Sequence, residues 1–163
     1  MLEGGDKSGE LDLFTSKEWA TLDKKGRILL STKKRQLLGN NFVLTLGDHN
    51  CLVAYPQSVY QELAAEIRQY GRLNAGGQQY RRLLMGESVP DISCDKEGRF
   101  VVPSSLRELA KLNEKVLIVG CDEWIEIWSA EEHAEYTKDP DNYNAKRRSD
   151  FLAAYTKMVS VGR

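Results

Sequence analysis

Leu22-Asp23-Lys24-Lys25-Gly26-Arg27-Ile28-Leu29-Leu30 is followed later in the chain by a second version of itself, Cys94-Asp95-Lys96-Glu97-Gly98-Arg99-Phe100-Val101-Val102. An Asp-Lys-x-Gly-Arg turn thus occurs twice, each time leading into a short apolar run that reads as a strand. Gly26 and Gly98 are expected to supply the positive φ of a tight turn, and Asp23 and Asp95 to brace it by accepting backbone N–H groups. A turn of this kind fixes the direction of its arginine. The guanidinium so held can make a bidentate contact with guanine O6 and N7 or with a phosphate. The competing interpretation is structural: Arg27 and Arg99 simply pair with Asp23 and Asp95 while the turns connect strands. Recurrence of both Asp and Arg, with one copy inside a basic cluster, favours recognition.

Outward from the turns the two copies stay in step. Thr32 to Leu38 reads as a short helix ended by Gly39, and Phe42 to Leu46 with Cys51 to Tyr55 as a hairpin joined through Gly47-Asp48-His49-Asn50. A helix opens at Pro56, with Ser58 and Gln61 at capping-box spacing; Gly71 to Gln79 interrupts it before a second helical stretch, Gln79 to Met85. After the second turn, Pro103, Ser105 and Glu108 mark a helix through Leu112. Val116 to Val119 and Trp124 to Trp128 form another hairpin-like pair, and Ser129 with Glu132 caps the following helix. Each copy is a supersecondary unit that cannot cover its apolar face alone, so the two are expected to pack as a pseudo-dimer. The expected organisation is a flexible tail at 1–12, a first repeat with its helix at 13–73, a linking helix with the second repeat at 74–138, and a C-terminal loop and helix at 139–163. Phe151, Leu152, Tyr155, Met158 and Val159 give that last helix an apolar face.

A chain of 163 residues buries about 70% of its unfolded surface, enough for one compact domain or two fused halves. Its 41% hydrophobic and 29% charged content is that of a soluble protein, and no apolar run approaches the length of a membrane span. The acidic, Gly-rich N-terminus argues against a secretory signal. Cys51, Cys94 and Cys121 are scattered and odd in number, which suits a reducing cytosol with buried free thiols. A net charge of −1 counts against a nucleic-acid partner on its own, but its distribution does not. Lys24, Lys25, Arg27, Lys33, Lys34 and Arg35 follow one another with no acidic residue between them. They form a local basic patch on a neutral protein.

Signals for catalysis are thin, and neither a cofactor nor a metal is expected. Asp23 and Asp95 could meet as a proton-sharing carboxylate pair, but Lys24, Arg27, Lys96 and Arg99 would hold both ionised. His49 and His133 lack metal-ligand spacing to any cysteine. The glycines from Gly71 to Gly77 have neither the lysine nor the preceding strand of a phosphate-binding loop. Trp124 and Trp128 fit a core or subunit interface, and Lys146-Arg147-Arg148 either a DNA contact or a solvated helix entry.

The two turns, together with Gln79-Tyr80-Arg81-Arg82-Leu83-Leu84-Met85-Gly86, Val119-Gly120 and Glu126-Ile127-Trp128-Ser129, resemble the MraZ family, bacterial transcriptional regulators of the division and cell-wall gene cluster. The resemblance spans Phe14 to Ala134. It implies an α+β fold of two AbrB-like swapped-hairpin repeats packed as a pseudo-dimeric β-barrel with short flanking helices. It also implies a cytoplasmic, nucleoid-associated, non-enzymatic repressor that binds tandem direct repeats in double-stranded DNA as a ring homo-oligomer. The family's Asp-x-x-x-Arg signature falls on Asp23 and Arg27 and again on Asp95 and Arg99. Lys24, Lys25, Lys33, Lys34, Arg35 and Lys96 would add attraction to phosphates. Pro103 keeps the family's proline after the strand, whereas Ser31 replaces it in the first copy, which predicts a looser helix start there. The basic cluster predicts that the first turn dominates electrostatic capture, and Pro103 that the second is the more rigidly held. The alternative is an antitoxin-like or scaffold oligomer acting mainly through protein–protein contacts.

Overall fold

The computed structural model describes residues 11–162, so the tail expected at 1–12 lies almost wholly outside the described residues. The first repeat contributes β1 (Lys17–Thr21), β2 (Arg27–Leu29), α1 (Thr32–Leu38), β3 (Phe42–Leu46), β4 (Cys51–Pro56) and α2 (Gln57–Arg68). After α3 (Ala75–Met85) the second supplies β5 (Val89–Ile92), β6 (Arg99–Val101), α4 (Ser104–Leu109), β7 (Lys115–Cys121), β8 (Trp124–Ser129) and α5 (Ala130–Lys138), followed by α6 (Ala145–Val161). No helix among the described residues is long and apolar enough to cross a membrane.

First strands are exchanged between the repeats. β1 pairs antiparallel with β7, from Lys17↔Val119 to Thr21↔Lys115, and β5 pairs with β3 through Phe42↔Ile92 and Leu44↔Val89. The halves meet where β4 runs against β8, with Leu52 opposite Ile127. The resulting sheet has the order β1-β7-β8-β4-β3-β5, which maps onto itself when the repeats are interchanged. β2 and β6 form a separate two-stranded ribbon.

This is an α+β protein with an open antiparallel sheet, and the closed pseudo-dimeric barrel is not what forms. The ribbon strands are three residues long and use their backbone groups on each other and on the opposite turn: Leu30 N–H donates to Gly98 O at 3.0 Å and Val102 N–H to Gly26 O at 2.8 Å. β2 meets the chain before it through the isolated bridge Leu22↔Ile28 and the bonds that close its own turn, not through β1, so β1 and β5 remain sheet edges.

Alternation along the strands sets the core. Ile28 and Phe100 point down from the ribbon and are fully buried with Leu44, Leu52, Ile118 and Ile127 from the sheet. Phe100 meets the edge of Phe42 at 5.4 Å between ring centres. Burying each such side chain stabilises the fold by roughly 1.5–3 kcal/mol. On the other side of the sheet, α2, α3 and α6 enclose a second cluster of Ile67, Leu84, Phe151 and Met158.

Helix bounds depart from the sequence pattern in three places. Ser58 does not cap α2; Pro56 occupies the N-cap, and no side chain caps the helix. α3 begins at Ala75 rather than Gln79, because Asn74 accepts from Gly77 N–H at 2.9 Å and its Nδ2 donates to Met158 O at 3.0 Å. Gly76 and Gly77, which read as part of an interruption, therefore lie inside the helix, while Gly71 stays in the turn before it at φ 80°. α4 stops at Leu109, short of Leu112, where Lys111 takes a positive φ and Leu112 N–H bonds back to Arg107 O. Ser31 is no defect: its backbone is extended like that of Pro103, and its hydroxyl accepts from Lys34 N–H.

Candidate nucleic-acid interface

Both Asp-Lys-x-Gly-Arg turns fold identically. In the first, Asp23 N–H donates to Arg27 O at 3.0 Å and Gly26 N–H to Asp23 O at 3.0 Å. Asp23 Oδ1 accepts from the N–H groups of Lys25 and Arg27, both at 2.9 Å. The second repeats this arrangement with Asp95, Glu97, Gly98 and Arg99. Gly26 and Gly98 sit at φ 77° and 90°, where a side chain would be strained.

The arginines differ more than their backbones. Arg27 Nε donates to Asp23 Oδ2 at 2.8 Å. Arg99 Nε is 3.4 Å from Asp95 Oδ2 without a hydrogen bond, and its Nη2 is 3.5 Å from Glu97. The first arginine is thus the more tightly held by its own turn, while the second lies between Asp95 and Glu97. Pairing with the turn's own aspartate does occur. It occupies Nε in the first copy and leaves the outer Nη groups as donors, so bracing and recognition are compatible.

Two further arginines cross between the repeats. The Arg35 guanidinium lies over Gly98, where an added Cβ would meet its Cζ at 2.7 Å, and that of Arg107 lies over Gly26 in the same manner at 2.9 Å. Arg35 Nη2 donates to Thr32 Oγ1 at 3.1 Å. Each turn is therefore held from above by the other repeat. Among the described residues, the buried side-chain polar atoms without a hydrogen bond are Nε of Arg35, Arg99 and Arg107, all at this surface. Unsatisfied buried groups are rare, and their concentration here marks a place where the fold accepts a cost. Arg107 escaped the sequence reading, although the offset that carries Asp23 onto Asp95 also carries Arg35 onto Arg107.

Lys24, Lys25 and Lys96 are exposed on the turns, and Lys33 is exposed in the first turn of α1. Lys34 is not among them. It is only 4% exposed, with Nζ 2.6 Å from Glu18 Oε1 and 3.1 Å from Thr15 O, because it shares the inward face of α1 with Leu38. This lysine is a buried tie, not a phosphate contact. Lys34→Ala is expected to lower stability by about 1–2 kcal/mol, since it strands a half-exposed Glu18. Denaturant titration checks the loss, and DNA affinity of the folded variant should be unchanged.

Hydrogen bonds from Arg27 N–H to Asp23 and from Arg99 N–H to Asp95 hold both carboxyls below the ordinary 3.8. Their contribution is complete above that ordinary value and is lost as pH falls through the lower folded one. The amide signals of Lys25 and Arg27 should accordingly stay constant from about pH 8 to pH 5 and move only below about pH 4 in an NMR titration. Movement centred above pH 5 would contradict the brace. Each carboxyl is committed to its own turn, which leaves no shared proton between them.

The remaining candidates are structural. Arg147 donates to the carbonyls of Leu46, Gly47 and Leu83, and Arg148 pairs with Asp48, so these two clasp α6 to the β3–β4 tip, while Lys146 is exposed and pairs with Asp150 in its own helix. His49 stacks on Tyr143 at 5.6 Å and bonds Asp48 at 2.9 Å, beside the buried Trp128. Trp124 packs against Tyr55 at 5.9 Å. Cys51, Cys94 and Cys121 are free; burial pushes the Cys51 thiol well above its usual range and that of Cys121 to about 11.

The family model described as "MraZ protein, putative antitoxin-like" matches residues 13–76 and 83–152. The protein named Transcriptional regulator MraZ from Desulforamulus reducens is 32% identical over 149 residues, 91% of this chain and 99% of the relative. Its namesake in Natranaerobius thermophilus is 35% identical over 131 residues, covering 80% and 86%. A third, from Herpetosiphon aurantiacus, is 37% identical over 119 residues, covering 73% and 82%. With both turns inside the matched segments and this extent of similarity, the chain belongs to the MraZ family.

Proposed function

We propose that this protein is a sequence-specific DNA-binding regulator of transcription, acting as a repressor of the division and cell-wall gene cluster through tandem promoter repeats. The observation that carries the proposal is the pair of braced turns on one ribbon, each aiming an arginine outward from a rigid base. Rigid presentation matters because a bidentate guanine contact discriminates bases only when the fork arrives in register. Arg27 and Arg99 read bases in the major groove, while Lys24, Lys25, Lys33 and Lys96 attract phosphates. Arg35 and Arg107 position the turns. The name borne by the relatives supports a role in transcription, and the exchange of β1 and β5 fits the swapped-hairpin architecture assigned to the family. In this proposal the units 13–73 and 74–138 act as the two DNA-reading halves, and the protein works in the cytoplasm at the nucleoid without enzymatic activity.

One ribbon covers few base pairs, so useful affinity comes from several protomers of a ring engaging direct repeats together. Duplexes carrying one, two and four copies of a site recovered by selection from random DNA test this in a binding titration. Affinity should rise by about 10²–10⁴ from one to two copies and fall steeply with salt. Equal affinity for all three would reject the avidity mechanism. The family description also favours a second proposal, an antitoxin-like partner of another protein. Such partners commonly use an extended tail, whereas here Met158 of α6 is buried in a core. Co-purification of a stoichiometric second protein would support that alternative.

A further inference from the structure

The outer face of the ribbon carries four side chains in two opposed pairs, Arg27 across from Val101 and Leu29 across from Arg99. Ile28 and Phe100 between them turn into the core. Leu29 and Val101 are 55% and 53% exposed, and they are the same position of the two repeats. A strand residue facing water beside an arginine has no packing reason to be apolar, since threonine or lysine would serve the ladder as well. An apolar choice made twice at one spot, inside a basic surface, points to a partner that is anionic at its margins and apolar at the point of contact.

We propose that Leu29 and Val101 contact the C5-methyl groups of thymine in the major groove and so set sequence preference beside the arginine contacts. The inference rests on the ribbon being the DNA-reading surface. A two-stranded ribbon fits the major groove, and thymine alone among the four bases presents a methyl there. Diagonal neighbours on an antiparallel ladder lie about 7–8 Å apart, close to two base-pair steps of about 3.4 Å. Two methyl contacts and two guanine contacts therefore alternate across a short core, with charge complementarity supplied by Lys24 and Lys96 on the flanking turns. Leucine reaches further than valine, so Leu29 makes the stronger of the two contacts.

The test uses the full chain and duplexes selected from random DNA. Each thymine of the recovered consensus is replaced in turn by deoxyuridine, which removes the methyl and nothing else. Wild-type affinity should fall about three- to five-fold at one or two positions, the effect of one buried methyl. Leu29→Ala or Val101→Ala should erase that difference between thymine and uracil at one position each. The wild-type measurement needs no variant to fold, and exposed positions are expected to leave the circular dichroism unchanged. Should uracil be tolerated everywhere while Arg27→Ala still weakens binding, methyl reading is overturned and the DNA-reading ribbon stands. Recovery of no consensus would overturn both. If Leu29→Ala changes oligomer size in sedimentation and leaves the uracil effect intact, the pair belongs to a contact between copies and the inference again fails.

Discussion

Arg27→Ala is expected to weaken specific DNA binding by about 1–3 kcal/mol for each protomer engaged, the value of one bidentate guanine contact. On a site that engages two protomers the loss compounds to roughly thirtyfold or more. Stability should scarcely change, because the Arg27–Asp23 pair is open to solvent and such pairs contribute little. Arg99→Ala should act in the same direction but less strongly, since its guanidinium is held loosely between Asp95 and Glu97. Filter binding or anisotropy on specific and random duplexes separates the effects: specific affinity falls for both variants, and random-sequence affinity falls far less. A folded Arg27→Ala protein with undiminished specific binding would remove that residue from the interface.

Gly76→Ala is expected to produce a large loss of stability without touching the ribbon. A Cβ at this position would stand 2.2 Å from Met158 N, 2.6 Å from Lys157 C and 2.7 Å from Met158 Cα. All three are backbone atoms, so no rotamer change relieves the overlap, and α3 and α6 must separate. Separation loosens Leu84, Phe151 and Met158 and breaks the bond from Asn74 to Met158 O. The cost of such overpacking is about 3 kcal/mol, which corresponds to a fall in Tm of roughly 6–12 °C for a chain of this size. Calorimetry reads the fall, and affinity for a single DNA site, measured well below the new Tm, should be retained. Loss of DNA binding by a still-folded variant would mean that α6 takes part in recognition.

Much of the site was legible in the sequence because its determinants are local. An Asp-x-x-Gly-Arg turn is closed by bonds among five consecutive residues, so Asp23, Gly26, Asp95 and Gly98 could be assigned their bracing roles without tertiary information. Ser129 and Glu132 announced their cap in the same local way. Features that depend on the meeting of distant segments were hidden. Gly76 reads as a helix breaker until α6 is known to cross it. Lys34 reads as a solvated cation unless its four-residue spacing from Leu38 is weighed, and its tie to Glu18 spans sixteen residues. Nothing local sets Leu29 and Val101 apart, because Ile28-Leu29-Leu30 and Phe100-Val101-Val102 are uniformly apolar; the pairing of β2 with β6 shows that the middle residue of each run faces outward. The barrel expected from the resemblance gave way to an open sheet because ribbon hydrogen bonds go to Gly26 and Gly98 carbonyls rather than to β1 and β5.

Guanine N7-methylation interference on a selected site, performed with the wild-type chain, Arg27→Ala and Arg99→Ala, asks whether the two turns read DNA. Methylation of particular guanines should block the wild-type protein, with one guanine per repeat losing its effect in Arg27→Ala and a different one in Arg99→Ala. An identical interference pattern for all three folded proteins would contradict the assignment of the ribbon as the base-reading surface.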